Sequence, residues 1–66
     1  MHDKEFYRAK FISMKPYIKL SKYAEECGIY KTTLSKFMKD SAYNDLLSIS
    51  KLDNLYNYII YNLSVF

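Results

Sequence analysis

A single glycine in 66 residues, Gly28, decides where this chain can reverse direction. It lies within LSKYAEECGIYKTTLSKFMK, residues 20–39, between two short runs of helical character. Glycine alone enters the left-handed backbone region without steric cost, so Gly28 is expected to end the first of these helices. Ala24, one helical turn earlier, is small enough to sit where two helices cross around a three- to four-residue turn. Ile29, Leu34 and Phe37 then anchor the second helix, because 34 and 37 share a face and 29 enters from the turn. The spacing predicts a helix-turn-helix. The opposite face of its second helix carries Lys31, Thr32, Ser35, Lys36 and Lys39.

The other punctuation is equally sparse. Pro16 disfavours a helical Lys15 and removes a backbone donor, so a first helix over residues 3–14 ends near Met14. Tyr7, Phe11 and Met14 recur at i, i+4 and i+7 and make its apolar stripe, which Ile18 extends. Residues 15–20 read as a connector, 21–27 as a second helix, 31–39 as a third and 40–44 as a polar loop. Ser48 is placed to cap a fourth helix over residues 49–63. In that helix Ile49, Leu52, Leu55, Tyr56, Ile59, Ile60 and Leu63 cover an arc of about 140° toward the core. Tyr58, Tyr61 and Val65 fall on the other side, the expected contact face for a second copy or another protein. The expectation is an all-α, compact four-helix domain spanning residues 1–66.

Length allows one domain, near the lower limit for independent folding. Eight tyrosines and four phenylalanines enlarge its core, since each aromatic buries roughly 150–250 Å². No apolar run approaches the roughly 18 residues of a membrane span, and MHDKEFYRAKF does not read as a leader. Cys27 is the only cysteine, which excludes an intramolecular disulfide and suits a reducing, cytoplasmic setting. The net charge of +3 is unevenly spread: residues 1–39 hold nine Lys/Arg against four acids, and residues 40–66 hold one against three. That asymmetry favours a polyanionic partner on the N-terminal two-thirds.

Catalysis has little material. His2 is the only histidine and stands at the chain end, Cys27 has no histidine partner, and one glycine cannot make a phosphate-cradling loop. Glu25 and Glu26 are adjacent and diverge on a helix, and no Cys, His and acid set has metal-ligand spacing. Neither enzyme activity, metal, cofactor nor small-molecule substrate is expected.

GIYKTTLSKFM resembles the second and third helices of the Xre/Cro/phage-repressor-like helix-turn-helix family, and SISKLDNLYNYI resembles the helix that follows. The likeness covers about 40 residues, from Ile18 to Ile59. Tyr30 departs from it by standing in the slot where such domains often carry an N-capping side chain. The resemblance implies a small all-helical regulator of phage or mobile-element origin that binds duplex DNA with residues 31–39 in the major groove. On that reading Lys31, Thr32, Ser35 and Lys36 meet base edges and the groove. Lys19, Ser21, Lys22, Lys39, Tyr43 and Asn44 contact phosphates, and Tyr30 either stacks on sugar or wedges against the core. A homodimer through the fourth helix would present two such helices. The alternative is a protein-binding module on the same frame, such as a phage-encoded inhibitor of a host nuclease of the anti-CRISPR type, or an antitoxin.

Overall fold

Asp3 starts the helical part of the molecule. Its carboxylate accepts the Phe6 backbone N–H at 2.8 Å, satisfying one of the donors that a helix start leaves open. The computed structural model describes residues 2–64. Four α-helices run in order, α1 (Lys4–Met14), α2 (Leu20–Glu26), α3 (Lys31–Lys39) and α4 (Ile49–Ser64), with a 3-10 helix, Ser41–Leu46, between the last two. No strand occurs among the described residues. No helix among them is long and apolar enough to cross a membrane.

The expected elements are present, with two corrections. The first concerns α2, which begins at Leu20 and ends at Glu26. The Lys19 carbonyl accepts from the Lys22 and Tyr23 N–H groups, and burial of Leu20 draws it into the first turn without any side-chain cap. The second concerns the segment after α3, which is helical and not an irregular loop. Asp40 accepts the Ala42 N–H on its side chain at 3.1 Å and the Tyr43 N–H on its carbonyl at 3.2 Å, which winds the chain into a 3-10 turn. Ser48 caps α4 as expected, its hydroxyl accepting from the Lys51 N–H at 3.3 Å.

Between α2 and α3 the chain turns at Gly28, whose φ is +78°. The Ile29 N–H reaches the Ala24 carbonyl at 2.8 Å and the Gly28 N–H reaches Glu25 at 3.1 Å. This paired pattern is the Schellman termination, with Ala24 and Ile29 both buried where it brings them together.

The core is built from Tyr7 and Phe11 of α1, Leu20 and Ala24 of α2, Leu34 and Phe37 of α3, and Leu52, Leu55 and Ile59 of α4, closed by Ile29 and Leu47. Helix α4 packs on α1 and α2, while α3 packs on α1, α2 and the 3-10 helix. A radius of gyration of 10.8 Å is that of a packed domain of this length. The buried stripe of α4 is narrower and shorter than its sequence pattern, since Ile60 at the edge of the arc is 44% exposed and Leu63 in the last turn 42%. The N-terminus is held by aromatic contacts: the His2 ring stacks on Phe6 at 3.7 Å, and Phe6 meets Tyr56 edge-on at 5.7 Å.

Arg8 is the buried charge of this core. Its Nε donates to the Phe37 carbonyl at 2.8 Å and its Nη2 to the Asp40 carbonyl at 3.3 Å and to Asn44 Oδ1. Its Nη1 pairs with Glu5, and its guanidinium lies 4.4 Å over the Phe37 ring. One side chain of α1 therefore satisfies the carbonyl end of α3 and fastens the 3-10 helix to it.

Candidate nucleic-acid interface

Leu34 and Phe37 fix the rotation of α3, and Arg8 fixes its C-terminal end. With those positions turned inward, Lys31, Thr32, Ser35, Lys36 and Lys39 are all exposed along one side of the helix. No acid stands on α3. The Arg8–Glu5 pair is the one side-chain salt bridge among the described residues, so these lysines carry their charges uncompensated by an ion pair.

An open cleft of about 380 Å³ lies beside this face. Lys31 and Ser35 of α3 form one wall, and Lys19, Ser21 and Lys22 form the other. The structure thus brings together two residues expected at base edges with three expected at phosphates. Lys15 and Glu25 complete the rim, Glu25 being its only acid. Thr32, Lys36 and Lys39 are outside the cleft, farther around or along α3.

Tyr43 and Asn44 stand apart in the 3-10 helix. Asn44 is half-buried, with Oδ1 accepting from Arg8 and its carbonyl accepting from Lys4 Nζ at 2.7 Å. Only its amide donors could meet a phosphate. Three N-terminal cations behave differently from what their sequence clustering implies: Arg8 is buried, Lys4 is bound to Asn44, and Lys10 lies 5.5 Å over the Phe6 ring. Arg8 is thus withdrawn from the positive surface, while exposed Lys10 keeps its charge on α1 beside the lysines of the connector, α2 and α3.

Two aromatic side chains protrude from that basic region. Tyr30 is 80% exposed and Tyr17 86%. Tyr30 thus does not wedge against the core, and its backbone is extended at the cap of α3. Nothing in the local pattern marks Tyr17 as exposed, since Ile18 beside it turns inward.

The expected partner face of α4 is divided by the fold. Tyr58 packs edge-on against Tyr23 at 5.8 Å and its hydroxyl donates to the Glu26 carboxylate, so it joins α4 to α2. Tyr61 is exposed, and Val65 lies outside the described residues. That carboxylate, more than burial, pushes the Tyr58 hydroxyl above the ordinary tyrosine value. Burial and then neighbouring Glu26 push the half-buried Cys27 thiol up as well, which keeps it protonated at neutral pH and a poor nucleophile.

Neither Arg8 as an anchor nor Lys15, Ile18 and Met38 as parts of the cleft is marked by the sequence pattern. Ser21 and Ser35, small residues on facing helices, were the available signal that space is left between them. No protein-family model, curated protein or solved structure matches the chain.

Proposed function

We propose that this chain is a small sequence-specific duplex-DNA-binding regulator, of the phage or mobile-element kind, working in the cytoplasm as a homodimer. In this reading α2, the Gly28 turn and α3 act as a helix-turn-helix, and α3 lies in the major groove. One observation carries it: five polar or cationic residues of α3 share an exposed, acid-free face that continues into a lysine-rimmed cleft. Lys31 and Lys36 donate to guanine acceptors, while Thr32 and Ser35 serve either polarity and touch thymine methyls. Lys19, Ser21, Lys22 and Lys39 hold the flanking phosphates, with Tyr43 and the amide donors of Asn44 at the far end.

The test is fluorescence anisotropy with duplex fragments across a range of salt. Contact of three to six lysines with phosphate gives a log–log slope of roughly −3 to −5. Lys31→Ala and Lys36→Ala each weaken binding by about 1–3 kcal/mol where a specific base contact is lost. Thr32→Ala and Ser35→Ala change sequence preference more than affinity. Absence of duplex binding at low salt overturns the reading.

A second reading, a protein-binding module such as a nuclease inhibitor or antitoxin, is favoured by the exposed Ile60, Tyr61 and Leu63 near the end of α4. It requires that the chain ignore duplex DNA at low salt and that an Ile60→Glu/Leu63→Glu variant lose its protein partner.

A further inference from the structure

The cleft between the connector and α3 has a floor that DNA contact does not explain. Phosphate recognition needs only cations and hydrogen-bond donors. Beneath the lysines, however, the cleft is lined by Ile18 and Met38, both half-buried, and by the buried Leu20 and Leu34. Above that apolar floor stand Lys15, Lys19, Lys22 and Lys31 against the single carboxylate of Glu25. Ser21 and Ser35 enter from facing helices and are too short to fill the space. The volume, about 380 Å³, lies within the range of small-ligand pockets, roughly 300–1,000 Å³.

We propose that this cleft binds a small organic anion: one carboxylate, sulfonate or phosphate group held among the four lysines, carried on an apolar body that covers Ile18, Leu20, Leu34 and Met38. Charge complementarity selects the anionic head, and the floor selects the apolar body. The occupant is a ligand held by charge and apolar contact alone. Lys31 and Ser35 belong also to the face assigned to the groove, so ligand and duplex compete. That competition rests on the duplex reading; the binding itself does not.

Anilinonaphthalene sulfonate serves as the probe, titrated into the full chain without DNA and followed by the side-chain methyl resonances of Ile18 and Met38. The expected result is saturable binding that shifts both methyls, with inorganic sulfate and uncharged phenylnaphthylamine each binding far more weakly. Lys19→Gln and Lys31→Gln each weaken the probe by about two- to fivefold, the effect of one exposed charge pair. Ser35→Leu fills the cleft, keeps every lysine and abolishes binding, while Lys51→Gln on α4 has no effect. Shifts at Ile60 and Leu63 in place of Ile18 and Met38 overturn the proposal. So does equal binding of the uncharged analogue, an unaffected Ser35→Leu variant, or a shift of Ile18 and Met38 with protein concentration alone, which would place a second copy in the cleft. A separate duplex titration with and without the probe reads the competition. Failure of duplex binding there leaves the probe result standing, and failure of the probe leaves the duplex reading standing.

Discussion

At Gly28 the backbone φ is +78°, and a Cβ built there meets nothing within 4 Å. The requirement for glycine is therefore conformational and not a matter of space. Gly28→Ala should cost about 1 kcal/mol, the left-handed penalty partly offset by a less flexible unfolded chain. Gly28→Asn should cost less, because asparagine enters that region more readily. Urea unfolding midpoints check both, and an unperturbed alanine variant would mean that the turn does not depend on the left-handed residue. Arg8 is the opposite kind of position, where contacts decide. Arg8→Met keeps most of the volume but strips the Phe37 carbonyl and Asn44 of their shared donor. The expected loss is about 2–4 kcal/mol, a large share of the roughly 3–10 kcal/mol available to a domain of this size. Arg8→Lys recovers little, since a point charge cannot reproduce a planar fork. Glu5→Gln should cost less than about 1 kcal/mol, because the Glu5 side chain is 64% exposed and its pairing is screened. Thermal unfolding of the three variants ranks them.

Helix α4 is held by apolar burial and by two tyrosine–carboxylate hydrogen bonds that tie it to different neighbours. The Tyr7 hydroxyl of α1 donates to Asp53 at 2.6 Å, and the Tyr58 hydroxyl of α4 donates to Glu26 of α2. Burial first, then the bond to Asp53, raises Tyr7 above the ordinary value of 10.0, and the bond to Glu26 does so for Tyr58. Folded protein thus keeps these protons at a pH where the unfolded chain has released them. Their contribution is fully present below pH 10.0 and is lost as pH rises from there through the folded values. Cys27, raised from 9.0, adds a loss with the same sign that begins at lower pH. Urea midpoints should fall with rising alkalinity, and a Tyr7→Phe/Tyr58→Phe variant should show a flatter decline above pH 10.0. An identical slope in that variant would remove these bonds from the account. Neither bond was legible in the sequence, because each joins residues far apart in the chain: periodicity places Tyr58 on the side of α4 away from the stripe, and only the position of α2 turns that side into an interface. Helical periodicity did reveal all four α-helices to within a residue, because Pro16, Gly28 and Ser48 act locally. The exposed face of α3 was legible for the same reason, since burying Leu34 and Phe37 leaves one side for Lys31, Ser35 and Lys39. The cleft was not, because its lining joins residues of α2 and α3 to Lys15, Ile18 and Lys19 of a connector whose path follows no repeat.

As a whole the molecule is electrically divided, with nine cations against four acids before residue 40 and one against three after it. The cationic part contains α3 and the cleft, while α4 balances Lys51 against Asp53 and leaves Ile60 and Leu63 nearly half exposed and Tyr61 67% exposed in its last turns. A second copy docking on this end would bury the exposed side chains of Ile60, Tyr61 and Leu63. A domain of this size covers its core incompletely, so association adds burial that the monomer lacks. Paired recognition helices on duplex DNA need a separation of roughly 34–36 Å. A dimer through α4 that binds paired half-sites has to hold its two α3 helices at that spacing. The contact set expected for such a dimer is Ile60, Tyr61 and Leu63; Tyr58 is not part of it, because it packs on Tyr23 and bonds Glu26 of α2. A Tyr58→Glu change would set a second carboxylate against Glu26 and damage the fold itself, so it cannot report on association. Sedimentation of the wild type beside an Ile60→Glu/Tyr61→Glu variant reports directly, with circular dichroism showing that the variant remains helical. The wild type is expected to dimerise in the micromolar range and the variant to sediment as a monomer. On DNA the variant should bind single half-sites while losing the cooperative occupation of paired ones. A wild type that stays monomeric at high micromolar concentration, or a variant that dimerises equally well, removes this end of α4 as the dimer interface.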